Sequence, residues 1–207
     1  MKKLLVIFIA VLLLCSCSQE EKPSSVSNGQ QSNVVSNKVV SQKNGLYVPV
    51  FKYVGDNPAI SAICEWFSEE AERHATYGDV WIPSFVILKE VDRGNEHLVF
   101  GNFWSAGYHW EDETMVQGSG GEMPACFHLK KVENGYTVVS VEKAGDGEYY
   151  AKSIKEFTKD YPGLYNEFMT QHDNDEAEIE FMRMYAEYNG VRIRYIKHYG
   201  WEPVALY

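Results

Sequence analysis

His97-Leu98-Val99-Phe100-Gly101-Asn102-Phe103-Trp104-Ser105-Ala106-Gly107-Tyr108-His109-Trp110 is the stretch on which the fold turns. Leu98, Phe100, Asn102, Trp104, Ala106, Tyr108 and Trp110 recur every second residue, the period of a strand that presents one continuous face. The opposite alternation carries Gly101, Ser105 and Gly107, where missing or small side chains permit the bending of a strongly curved sheet. The stretch reads as one long, bent strand.

Its surroundings supply the rest of a sheet. Asp92-Arg93-Gly94-Asn95 turns into it from Val80 to Val91, which is apolar on both alternations, as expected of a central strand covered on both faces. Glu111 to Glu122 is polar and glycine-rich and reads as a connection. Met123 to Val132 is a third strand, and Glu133-Asn134-Gly135 carries the Asn-Gly hairpin signal leading into a fourth, Tyr136 to Glu142.

Helices flank this block. Asn57-Pro58 supplies a cap and a first-position proline for a helix whose Ile60, Ile63, Cys64, Phe67 and Ala71 form one apolar stripe, stopped by Gly78. Leu46 to Tyr53 reads as a short leading strand. After Gly145-Asp146-Gly147, helical patterns cover about 148–159 and 163–171, interrupted at Tyr161-Pro162-Gly163. Asp173 and Glu176 resemble a capping box for a last helix to about Tyr188. Val191, Ile193 and Tyr195, alternating with Arg192 and Arg194, predict a closing half-buried strand. The fold class is α+β: an N-terminal helix packed on a curved four-stranded antiparallel sheet, with C-terminal helices and a final strand.

This order over residues 57–144 resembles the cystatin-like superfamily, which includes ketosteroid-isomerase-like domains. The resemblance implies a sheet wrapped around a helix into a cone whose mouth binds a small ligand, binds a protein or is packed shut. Ser119-Gly120-Gly121-Glu122-Met123-Pro124 and Tyr199-Gly200-Trp201-Glu202-Pro203-Val204 are similar to stretches of uncharacterised secreted bacterial proteins, which lend no activity.

The N-terminus carries an address. Met1-Lys2-Lys3 is a positive start, and Leu4 to Leu14 is an apolar run of eleven residues, shorter than the ~17 needed to span a bilayer. With Leu14 three residues before Cys17 and Ser16 just before it, Leu14-Cys15-Ser16-Cys17 resembles a bacterial lipobox. Cys15 is preceded by the bulkier Leu14. The resemblance implies removal of residues 1–16 and a diacylglycerol on Cys17, an anchor of more than one acyl chain that holds firmly. The expected location is extracytoplasmic, on the bacterial cell membrane or outer membrane. Residues 18–44 hold seven Ser, four Asn and four Gln without an aromatic residue, the composition of a disordered tether. Glu20-Glu21 resembles the surface-export signals of some outer-membrane lipoproteins. The globular domain is expected over residues 45–207, where every Trp and Tyr lies.

Loss of Lys2 and Lys3 with the signal leaves 17 basic against 29 acidic residues, a net charge of −12. Such a surface repels phosphate backbones, and nucleic acid is not an expected partner. The remaining cysteines, Cys64 and Cys126, either pair outside the cytoplasm or sit as two buried thiols.

No motif names a reaction. Gly118-Ser119-Gly120-Gly121 superficially resembles the nucleophile loop of chymotrypsin-like proteases but lacks the preceding aspartate. Asp173-Asn174-Asp175 hints at a calcium loop, yet Glu178 stands at the sixth position instead of glycine and Met184 where a bidentate glutamate belongs. The six histidines lack zinc-ligand spacing, and neither a metal nor a cofactor is expected. If the Leu98–Trp110 face lines a cone, Asn102, Trp104, Tyr108 and His128 offer polar groups to a ligand. The plainer alternatives are that Asn102 marks a bulge or bonds nearby backbone and that Trp104 is core.

The expected role is a non-catalytic accessory lipoprotein that binds a small molecule or a protein. One alternative is an isomerase- or dehydratase-type enzyme working in the cone, which would need an inward carboxylate or histidine beside Tyr108 or Asn102. The other is a glycan-binding module built on Trp66, Trp81, Trp104, Trp110 and Trp201, which would need coplanar exposed tryptophans.

Overall fold

The computed structural model describes residues 39–43, 46–73 and 78–207. The expected signal segment 1–16, the expected lipidation site Cys17, Glu20-Glu21 and the expected tether up to residue 38 lie outside the described residues. Strands β1 (Val39–Lys43) and β2 (Leu46–Pro49) form an antiparallel ribbon, so strand structure starts within the segment expected as tether. Helix α1 (Pro58–Arg73) follows, then β3 (Val80–Asp92), β4 (Glu96–Glu111), β5 (Thr114–Val132) and β6 (Gly135–Lys143). The chain closes with a 3-10 turn (Gly147–Tyr149), helices α2 (Tyr150–Phe157), α3 (Leu164–Thr170) and α4 (Asp175–Asn189), and short strands β7 (Tyr195–Lys197) and β8 (Val204–Ala205).

The α+β class holds, but the sheet is larger and mixed. Its order is β3-β4-β5-β7-β8, with β6 also paired to β5, and β5 and β7 run parallel. The expected four-stranded antiparallel sheet is therefore corrected to a curled six-stranded one. The reason lies in β5, which is 19 residues long because the supposed connection 111–122 is a tight turn followed by strand. Asp112, at φ 52, takes the left-handed conformation that Asp tolerates, and Glu111 pairs directly with Thr114 across it. The far edge of β5 is then shared: Thr114–Val116 hold β7, and Ala125–Val132 hold β6.

The register slips along β4 fall beside its glycines, with the extra residue on the neighbouring strand each time. Pairing with β3 slips by one residue beyond Gly101, and pairing with β5 slips at Gly107. A Cβ on Gly101 would lie 2.6 Å from the Val86 carbonyl oxygen, so the strands approach there as only glycine allows. Strand β3 is an edge strand, not a central one. Pro83, which has no N–H to give a neighbour, is consistent with that edge, and helices rather than strands bury β3.

The Asn57 cap forms as expected, its Oδ1 accepting the N–H of Ala59 at 2.9 Å and of Ile60 at 3.2 Å. The apolar stripe of α1 packs Phe67 against Phe85, Phe103 and Phe127, the β4 face opposite to the Leu98–Trp110 alternation. Leu98, Phe100 and Cys126 are covered instead by Ile154 and Phe157 of α2 and Leu164 and Phe168 of α3. The face read as the lining of a cone around the N-terminal helix is thus roofed by the C-terminal helices.

Two C-terminal expectations change. Helix α4 begins at Asp175 without a capping box; Asn174 makes no side-chain cap bond, and the Asp173 carboxylate accepts the Asp175 N–H at 3.0 Å. The final strand starts at Tyr195 and not at Val191: Ile193 is buried, while Arg192 and Arg194 both reach Glu113 at 2.9 Å and hold the backbone beside the β4–β5 turn.

Candidate functional site

Beyond the roof formed by α2 and α3, the Leu98–Trp110 face continues under the start of α4. Asn174 donates from Nδ2 to the Ser84 hydroxyl on β3 at 2.8 Å and pins the α3–α4 connection there. A cavity of about 330 Å³ lies between that connection and the sheet, with Trp104, Tyr108 and Gln117 on its sheet wall and Asp173, Asp175 and Glu178 on the other. A second cavity of about 280 Å³, lined by Ile179, Ile196, Trp201 and Val204, lies on the far side of the same helix start. Asp175, Glu178 and His198 line both.

Glu178 is the pivot. It is 8 % exposed, and an ionised carboxylate so placed needs partners. Tyr108 donates its hydroxyl proton to Oε1 at 2.5 Å, and His198 Nε2 lies 2.9 Å from both carboxylate oxygens. An ionised carboxylate only accepts, so His198 carries its proton on Nε2 and leaves Nδ1 available as an acceptor when the ring is neutral. Burial first, then the charge of Glu178 and the hydrogen bond to it, hold the Tyr108 hydroxyl well above its ordinary range. Tyr108 therefore stays protonated and donating at any physiological pH.

The four residues expected to share a pocket divide three ways. Trp104 and Tyr108 line the larger cavity. Asn102 is fully buried and donates from Nδ2 to the Gln171 carbonyl, tying the sheet to the end of α3, so it bonds backbone, as the plainer reading had it. His128 shares the face but sits at its opposite end, with Nδ1 2.8 Å from Glu96 Oε1 and Nε2 2.6 Å from Glu142 Oε1. Burial pushes the His128 imidazole down, and the two glutamates outweigh it, so the group titrates above its ordinary value.

Of the two alternatives for Cys64 and Cys126, the structure has the two buried free thiols and not the disulfide. Cys64 faces the core under α1, whereas Cys126 faces the α2–α3 core, so the sheet separates them. Burial, followed by Glu142 and Glu96, pushes the Cys126 thiol up to about 12, and burial raises Cys64 as well.

Glu178 and His198 were the residues missed. In the sequence, Glu178 stands out only as the residue that breaks a calcium-loop pattern. Its signal was present all the same: it falls on the α4 stripe with Phe181, Met182, Tyr185 and Ala186, and a lone carboxylate on an apolar stripe must find partners across the core. His198 had no local signal, because its role comes from the path of the chain after β7.

Among the described residues, no cluster of three or more His, Cys, Asp or Glu is arranged to hold a metal ion, and no helix is long and apolar enough to cross a membrane. Compared with known proteins, the chain matches no family model, no curated protein and no solved structure.

Proposed function

We propose that the chain is a lipid-anchored extracytoplasmic protein whose folded part binds a small molecule in the cavity beside Tyr108, Glu178 and His198. One observation carries the binding part: a carboxylate held by two donors at the junction of two cavities, with Trp104 and Trp201 on opposite sides of it. Small-molecule sites combine such apolar walls with a few fixed polar groups. The anchor rests on the lipobox resemblance at Cys17, and the expected location is the outer side of a bacterial membrane. A helix followed by a long, bent antiparallel sheet supports a cystatin-like wrap; the parallel β7 and the added β8 depart from that minimal pattern.

The same observation favours a second reading, an acid–base enzyme. Glu178 orients His198 through Nε2, so Nδ1 of the neutral ring is placed to serve as a general base. A glycan-binding surface has less support, because Trp201 alone of the five tryptophans is exposed.

Native mass spectrometry of the full chain, extracted in mild detergent from the producing cell, tests the binding reading. A retained small molecule that W104A releases is the expected result. A stoichiometric protein partner with no small molecule overturns it. Turnover of the retained compound, abolished by H198N, would move the assignment to the enzyme. Cys17→Ala should shift the protein from the detergent phase to the aqueous phase; unchanged partitioning overturns the anchor.

A further inference from the structure

We propose that the two cavities flanking Glu178 are one bipartite site for an organic cation, a protonated amine carrying an apolar arm. The inference rests on the small-molecule reading above and names the ligand class. The smaller cavity supplies the arm's surroundings: Ile179, Ile196 and Val204 form its apolar wall, and Trp201, 74 % exposed, stands at its rim. A half-buried apolar trough with an indole at its edge fits an aliphatic or aromatic arm, and the indole face attracts a nearby cation as well.

Charge decides the head group. Asp173, Asp175, Glu178 and Glu202 line the pair of cavities, and among the described residues no lysine or arginine does. Among the described residues, the ion pairs leave Asp173, Asp175 and Glu202 without a basic partner, while Glu178 is held by neutral Tyr108 and by His198. The start of α4 offers a partial positive charge of roughly half a unit, and Asp175, Glu176 and Glu178 in its first turn already answer it. An anionic head would meet four carboxylates, with only the His172 and His198 imidazoles to offset them. A neutral head would leave their charge unused. An ammonium at the shared wall meets Asp175 and Glu178, which line both cavities, with Asp173 on one side and Glu202 on the other, and the burial of Glu178 limits solvent screening there. A quaternary or primary amine satisfies the same chemistry, so the arm and the positive charge define the class.

The test titrates the full chain in detergent with three probes that share one arm: 2-phenylethylamine, 2-phenylethanol and 3-phenylpropionate, followed by calorimetry and by tryptophan fluorescence. The amine should bind at least about tenfold more tightly than the alcohol, and the carboxylate more weakly than either. Asp175→Asn, on the exposed first turn of α4, should reduce amine affinity severalfold and leave alcohol affinity unchanged, and W201A should weaken both. Rising ionic strength should weaken the amine alone. Equal binding of amine and alcohol, or preference for the carboxylate, overturns the cationic head while leaving the pocket in place. Failure of all three probes overturns the inference; a W104A-sensitive small molecule retained in native mass spectrometry would then still uphold the binding reading, and its absence would remove both.

Discussion

At the scale of single residues, the polar side chains of the Leu98–Trp110 face have two different jobs. Tyr108 joins a carboxylate and an imidazole at a cavity, whereas His128 holds Glu96 and Glu142 together at the sheet's other end, with 19 % of its side chain exposed. Because the folded-state pKa of His128 is raised, its contribution is fully present below the unfolded value of about 6.5 and is lost as pH rises through the folded value. His128→Gln should therefore cost stability at pH 5.5 and little at pH 8.5, a difference of about 0.5–1 kcal/mol given the exposure of both glutamates. Urea unfolding of both proteins at the two pH values checks this; a cost independent of pH removes the charge argument. The strand pattern told which face each residue shares. It was silent on distance along that face, so His128 was grouped with Tyr108 although the helices divide the space between them.

At the scale of elements, the alternation and glycines of residues 97–110 carried the largest share of legible structure. They foretold a long strand with bends, and the register slips fall at Gly101 and Gly107. Gly101→Ala would drive a methyl group to 2.6 Å from the Val86 carbonyl, so the strands must part locally. We expect a loss of about 1–3 kcal/mol in chemical denaturation, the usual range for an overpacked site, while substitution of the open Gly94 by Asn should be nearly silent. The N-terminus of α1 was equally readable, since Asn-Pro acts through its own next three residues. Strand β5 was not, because polarity and glycine mark loops only on average. Residues 114–122 are strand because β4 beside them has a backbone to satisfy. The capping box expected for α4 is absent for a related reason: Asp173 accepts only the Asp175 N–H, and Asn174 at the cap position is drawn to Ser84 across the cavity.

At the scale of the whole molecule, two clusters of buried side chains pack against one sheet, the larger with α1 and α4 and the smaller with α2 and α3. Cys64 belongs to the first and Cys126 to the second, so no rotation of side chains brings the sulfurs together. A reducing agent should leave the unfolding temperature unchanged, and alkylation of both thiols should track global unfolding; a reductant-induced drop in that temperature would contradict this arrangement. From its residues alone the chain determined its α+β class, the capped amphipathic helix, the bent hairpin strand and the unfavourable charge for nucleic acid, since each depends on neighbours within a turn or a pleat. Which helix covers which face, the splitting of the β5 edge between β6 and β7, and the meeting of Tyr108, Glu178 and His198 were decided by tertiary structure. These three residues lie 70 and 20 positions apart, and only burial of a shared carboxylate, which must find its hydrogen bonds wherever the fold delivers them, brings them together.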